Sequence, residues 1–185
     1  IIAKIGEIRL FISFVNLKNK YNSMTLIKSI SGIRGTIHQE DSEGLSSQEI
    51  IKCTEQFASW LIKTENLWED RSVEKSTIVI GRDGRISGQK ISNLVTSTLT
   101  QFGINVLNLG LTTTPSVQMA VISENCVGGI MVSASHNPSN WNGLKLLNSK
   151  GEFLSKKEGL KVFNFQPWIK KNKIYHLEVT NSSIR

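Results

Sequence analysis

Apolar residues along this chain switch between two spacings, and the switches predict the order of elements. Leu26 to Ile30 is a short apolar run feeding a turn at Ser31-Gly32. Ser46-x-x-Glu49 has the form of a capping box, and behind it Ile50, Ile51, Phe57, Ala58, Leu61 and Ile62 fall at helical spacing. Thr77-Ile-Val-Ile80 is a β-branched run ending at Gly81, which predicts a buried strand. Ile91, Leu94, Val95, Leu99 and Phe102 mark the next helix face, with Gly103 as its stop. Ile104 to Leu109 returns to strand, and Thr114-Pro115 supplies the cap and first residue of a helix to about Ile122. Val127 to Val132 is the following strand. Leu144–Leu147 and Glu152–Leu154 flank a turn at Asn148–Gly151 and add an antiparallel element. Strands alternating with helices through short links predict an α/β fold. In such folds reactive loops lie at the carboxyl ends of strands, which here are 81–87 and 133–142.

Composition narrows the function classes. The chain has 185 residues, 39% of them hydrophobic, which suits one globular domain. Its net charge of +7 is unevenly spread. Residues 1–23 hold four Lys/Arg against one acid, residues 150–185 hold eight against three, and the stretch between holds ten against eleven. The basic excess sits in the two ends and accompanies no reading motif, which argues against a nucleic-acid partner. Cys53 and Cys126 lack metal-ligand spacing, so a reduced, cytoplasmic protein is expected. Leu10 to Val15 is too short to span a bilayer and has no small-x-small cleavage site after it, so neither a membrane anchor nor a signal peptide is expected. The first methionine, Met24, is the expected start of the domain, with 1–23 an upstream or disordered segment. The segment 156–185 is expected to be a divergent tail or truncated linker, although Lys156 to Phe163 has the makings of a helix.

The chemistry concentrates in 129–145. An apolar run stops at Val132, a polar loop projects Ser135 with His136 beside it, and Gly143 opens a returning strand that carries Lys145. Hydroxyl, imidazole, amide and amine together suit a nucleophilic oxygen, hydrogen bonds to a phosphate and a proton relay. Each residue also has a plain structural reading. Ser135 can be an ordinary loop serine, His136 a donor to its own loop, and Lys145 a solvated strand-edge lysine. Arg34 sits in a Gly-Ile-Arg-Gly turn, where its fork suits a phosphate. Arg82 and Arg85 either bind phosphate or are held in place by Asp83. Trp141 is expected to pack beneath the loop. A Ser-His hydrolase is disfavoured, because adjacent residues rarely align and no Gly-x-Ser-x-Gly elbow is present.

Ser133-Ala-Ser-His-Asn-Pro138 with Asn142-Gly-Leu-Lys145 resembles the active-site loop of the alpha-D-phosphohexomutases. That superfamily includes phosphoglucomutase, phosphomannomutase and phosphoglucosamine mutase. Ser31-Gly-Ile-Arg-Gly35, Gly81-Arg-Asp-Gly-Arg-Ile-Ser-Gly88 and Thr112-Thr-Thr-Pro115 agree with it in family order. The resemblance implies a three-layer α/β unit with a mixed, mostly parallel sheet, covering 24–155 as the first of four domains. It implies an isomerase of the intramolecular phosphotransferase kind, converting hexose 6-phosphate and hexose 1-phosphate through a hexose bisphosphate. Ser135 is then the phosphorylated serine, with His136, Lys145 and Arg34 as its catalytic partners and Arg34, Asn137, Lys145 and Arg82 as phosphate ligands. Mg2+ would take one ligand from Ser135 or its phosphate, the other three coming from an Asp-Gly-Asp-x-Asp loop that this chain lacks. The chain alone is therefore expected to show no measurable mutase turnover and only weak Mg2+ binding. A non-catalytic domain binding phosphosugars or partner proteins is the alternative. Phosphoglucosamine and phosphomannose mutases are the members it most resembles.

Overall fold

The β-branched run at 77–80 forms the strand its pattern predicts, and the rest of the sheet is arranged around it. The computed structural model describes residues 26–30, 32–37, 44–67 and 76–166. The 1–23 segment and the end of the 156–185 tail lie outside them. In chain order the elements are β1 (Leu26–Ser29), β2 (Gly32–Thr36), α1 (Ser47–Thr64), β3 (Thr77–Arg82), α2 (Gly88–Gln101) and β4 (Asn105–Leu111). There follow α3 (Thr114–Ser123), β5 (Gly128–Val132), β6 (Trp141–Leu147) and α4 (Lys156–Phe163).

The sheet order is β1-β2-β6-β5-β3-β4. β3 runs parallel to β4 and β5, while the β5–β6, β6–β2 and β2–β1 pairs are antiparallel. The α/β class and the mixed sheet agree with expectation, but the expected predominance of parallel pairing does not hold. Ladders joined by short links, such as Ser29 to Gly32 and Val132 to Trp141, can close only as antiparallel pairs, because a parallel neighbour needs a long crossover. One consequence concerns Arg34. The Gly-Ile-Arg-Gly segment is not a turn but strand β2, paired on both sides. Its turn-like glycine, Gly32, has φ 146°, and a Cβ there would run into the Leu144 carbonyl across the ladder, so the position requires glycine.

Helices lie on both faces, giving three layers. On one face Ile78, Ile80, Ile130 and Leu146 meet Phe57 and Leu61 of α1 and Val95 and Leu99 of α2 in one core. On the other, Val117 and Val121 of α3 pack on Val79, Met131 and Leu147. Ser46 caps α1 by accepting from the Glu49 amide at 3.2 Å. The reciprocal half of the expected capping box is absent, because the Glu49 carboxylate pairs with Lys28 on β1 at 2.8 Å instead. The complete box occurs at α4, between Ser155 and Glu158. The α3 cap is Thr113, one residue before the expected Thr114, and Gly103 ends α2 as expected at φ 77°. After β6, the expected Glu152–Leu154 strand reduces to a single bridge, Leu147 to Phe153.

Helix α4 packs on the same core. Val162 is fully buried, and the Gln56 amide of α1 donates to the carbonyls of Phe163 (2.9 Å) and Phe165 (3.2 Å), capping the helix end. The packed unit thus runs through α4, past the boundary expected at 155. Among the described residues no helix is long and apolar enough to cross a membrane.

Candidate functional site

Because β3 and β5 are parallel neighbours with Arg82 opposite Val132, the loops that follow them leave the sheet side by side. The Asp83 amide donates to the Val132 carbonyl at 3.1 Å and fastens the two loops at their root. Arg85 then reaches across. Its Nη1 donates to the carbonyls of Pro138 (2.6 Å) and Trp141 (2.9 Å), and its Nη2 to those of Ser135 (2.8 Å) and Asn137 (2.7 Å). Its Nε pairs with Asp83 Oδ2 at 3.2 Å, while the other carboxylate oxygen accepts the Arg85 amide at 3.1 Å. A second tie comes from Asn142, fully buried, whose Nδ2 donates to Ser87 Oγ at 2.9 Å and whose Oδ1 accepts the Gly143 amide at 2.8 Å.

Ser135 stands at the exposed tip of this framework with φ 57°. A non-glycine residue in that region costs on the order of 1–3 kcal/mol. Hydrogen bonds from a charged donor contribute about 1.5–3 kcal/mol each, so the Arg85 bonds outweigh the strain, and Ser133 Oγ adds one by accepting the Ser135 amide at 3.0 Å. The Ser135 hydroxyl makes no hydrogen bond to the described residues, and His136 beside it is exposed and equally free. Asn137 is half-buried, with its Oδ1 buried and unpaired.

Arg34 and Lys145 share one face of the sheet. Arg34 lies opposite Gly143, two residues from Lys145 on β6, so the two are diagonal neighbours. Lys145 lies opposite Met131, which packs under α3, so the pair faces the α3 side. Gly143 makes room for Arg34, since a Cβ at 143 would fall 2.8 Å from Arg34 Cβ. Burial pushes the Lys145 amine below the usual lysine range; Asp83 opposes this and the Arg34 guanidinium reinforces it. The Arg34 Nε is buried and unpaired. Arg82 is placed apart. Its parity puts it on the side of Ile78 and Ile80, where its Cδ would lie 3.5 Å from a Cβ on Gly88 at the start of α2. Its Nε too is buried without a partner, and its Nη1 reaches only the Asp83 carbonyl at 3.5 Å.

The structure therefore builds Ser135, His136 and Asn137 on one loop and sets Arg34 with Lys145 on the adjoining sheet face. Sequence reasoning weighed Arg85 only as a phosphate ligand or a partner of Asp83, and assigned Asn142 no role. The signal for Asn142 was a polar residue entering an apolar strand.

Mg2+ demands about six oxygen ligands in octahedral array. At the loop tip the chain offers Ser135 Oγ, while the Asp83 carboxylate is engaged by Arg85 on both oxygens. Among the described residues no group of three or more His, Cys, Asp or Glu is placed to hold a metal ion. These residues fit one ligand of such a site and not the site itself.

Residues 26–165 match the profile of a family described as phosphoglucomutase/phosphomannomutase, alpha/beta/alpha domain I. A phosphoglucosamine mutase of Helicobacter pylori strain G27 is 35% identical over 117 residues, covering 63% of this chain and 26% of that protein. A phosphoglucomutase/phosphomannomutase of Thermococcus kodakarensis is 34% identical over 125 residues, 68% of this chain and 25% of that one. The chain thus spans about a quarter of the length of these relatives. A crystal structure of a putative phosphomannomutase from Thermus thermophilus superposes with TM-score 0.62 at 23% identity, over 76% of this chain and 29% of that one, a likeness of fold.

Proposed function

The chain belongs to the phosphoglucomutase/phosphomannomutase family, of which it carries the alpha/beta/alpha domain I, and from that premise we propose that it is the phosphoryl-carrying domain of a hexose-phosphate mutase, with Ser135 as the carrier. The observation that supports this best is the exposed Ser135, its hydroxyl without a hydrogen-bond partner among the described residues, held at φ 57° after the carboxyl end of β5. In the proposed reaction a hydroxyl of the hexose monophosphate attacks the phosphorus on Ser135. A new P–O bond to the sugar forms, the bond to Ser135 Oγ breaks, and a bisphosphate results. After the sugar turns, its other phosphate is attacked by Ser135 Oγ and returns to the serine, leaving the isomeric monophosphate.

Such transfers rest on positioning and charge neutralisation. Arg34 has a free buried Nε to offer a phosphate oxygen, and Lys145 stands beside it. The depressed affinity of Lys145 for its proton suits it to exchanging one with the attacking or leaving hydroxyl. His136 and Asn137 would orient the phosphate from the loop, and Arg82 would add positive field at the end of β3. Members of the family generally use Mg2+, which when bound neutralises phosphate charge; Ser135 or its phosphate would give one ligand. Phosphoglucosamine or phosphomannose substrates, and a cytoplasmic setting, are the finer readings we favour.

The test is phosphate incorporation from a labelled hexose 1,6-bisphosphate with Mg2+, located by peptide mass spectrometry. Label on Ser135, lost in Ser135→Ala, is the expected result. Tight binding of the bisphosphate without any covalent label would favour a non-catalytic sugar-phosphate-binding domain instead.

A further inference from the structure

We propose that Arg85 is a positioning residue that holds the Ser135 loop in its reactive shape, and that it does not bind phosphate. The proposal rests on the reading of Ser135 as carrier and adds to it the group that aims the serine. A guanidinium has five N–H donors in a rigid fork. In Arg85 all are taken, by the carboxylate of Asp83 and the carbonyls of Ser135, Asn137, Pro138 and Trp141. No donor is left for a substrate oxygen. Arg34 and Arg82 differ on this point, each having a buried Nε without a partner.

The acceptors show what the clamp does. They are backbone carbonyls spread over 135–141, so the loop is gathered around one planar cation. The Ser135 carbonyl is among them, and Ser135 is the residue in the left-handed region. Fixing that carbonyl fixes the peptide plane after Ser135 and so holds the backbone from which its hydroxyl projects. The clamp is itself fixed, because Asp83 binds both the Arg85 amide and Nε, and its own amide is tied to Val132 at the end of β5. The arginine side chain is 12% exposed; its bonds to Asp83, Asn137 and Trp141 are partly buried, while those to Ser135 and Pro138 lie at the surface. A lysine has one nitrogen and a tetrahedral set of donors. It cannot span four carbonyls, so Arg85→Lys keeps the charge and removes the geometry.

The experiment compares the full chain with Arg85→Lys and Arg85→Ala in two measurements. Hydrogen exchange is read at the amides of 134–141, with peptides from β3 and β5 as internal controls. Phosphate uptake at Ser135 is read from labelled hexose 1,6-bisphosphate with Mg2+, as a maximal rate and a half-saturating concentration. In Arg85→Lys, loop exchange should quicken by about tenfold or more while the strand peptides hold, as for a local opening. The maximal rate should fall by roughly 100-fold, the loss produced by a misplacement of about 1 Å. Half-saturation should move by less than about threefold, since a group acting only on the transition state leaves substrate binding alone. Guanidinium ion added to Arg85→Ala should restore part of the rate. An unchanged rate with a half-saturation raised about tenfold would make Arg85 a phosphate ligand and overturn the proposal. Unchanged loop exchange would overturn it as well. If the unaltered chain takes up no phosphate, the proposed function fails, and loop exchange alone decides the role of Arg85. Should both Arg85 variants unfold, Asp83→Asn, which loosens only the Nε anchor, must show the faster loop exchange for the proposal to stand.

Discussion

Replacing Gly143 by alanine tests the link between the sheet and the site at one atom. The added Cβ would lie 2.8 Å from Arg34 Cβ and 3.0 Å from Arg34 Cα, and closer still to the Ile33 carbonyl oxygen. Ordinary Cβ contacts begin at 3.4 Å, so β2 and β6 would have to part by at least 0.6 Å to clear Arg34 Cβ (3.4 − 2.8), and by more to clear the Ile33 carbonyl oxygen. Two of the three atoms met are backbone atoms of β2, which is laddered to β1 on its far side, so no rotamer change relieves the contact. Overpacking of this kind costs about 1–3 kcal/mol. The stiffer unfolded chain of the alanine variant returns about 0.4–1 kcal/mol. Mid-range values give a net loss of about 1.3 kcal/mol (2 − 0.7), which at a urea slope of about 2 kcal/mol per molar lowers the midpoint by roughly 0.6 M. Gly84→Ala is the control, because nothing lies within 4 Å of its added Cβ. Its midpoint should hold or rise slightly. Coincident melts for the two variants would refute the close approach of Arg34 to β6. If Gly143→Ala is destabilised as expected, phosphate uptake should fall with it, since Arg34 is the residue displaced.

The remaining predictions concern the core, a cap and two titrations. Phe57→Ala removes a fully buried ring stacked on Trp60 at 6.1 Å and should lose about 3–5 kcal/mol in urea melts; a loss below about 1 kcal/mol would contradict the packing. Ser155→Ala should cost about 1 kcal/mol and detach the end of α4, read as faster exchange at 156–163. The hydrogen bond from Ser155 holds the Glu158 carboxyl below its usual range. Its share of stability is therefore complete above the usual carboxylate pKa and fades as pH falls through the lowered value, so the gap between the chain and Ser155→Ala should narrow in acid. Lys145 has the same sign in an alkaline window, although there it is the neutral form that the fold favours. Burial first, with Arg34 adding to it, lowers its folded pKa from 10.5, so between that lowered value and 10.5 the unfolded chain binds the extra proton. Stability should rise with pH across that window, and Lys145→Met should abolish the rise in denaturant melts. A flat profile in the unaltered chain would show that the amine is solvated.

What the sequence determined by itself is the local part. Ile50, Phe57 and Leu61 recur at helical spacing and bury along α1; the run at 77–80 is apolar on both faces and becomes an interior strand. Ser46, Gly103 and the end of the apolar run at Val132 set limits that the backbone obeys, because caps and strand ends are decided by residues within a turn of one another. The loop carrying Ser135 and the return of Lys145 on β6 were legible for the same reason. The partners of polar groups were not. Glu49 had the spacing for a capping box and went to Lys28, which only the β1–β2 hairpin brings near. Arg34 read as a turn residue because Gly32 and Gly35 flank it, yet Gly32 serves close packing between strands far apart in the chain. Arg85 could be weighed only against Asp83, its sequence neighbour. Its carbonyl acceptors lie 50 or more residues away, and they come within reach because β5 takes its place beside β3. A cation in a partly buried loop must satisfy its donors, but the strand order decides with whom.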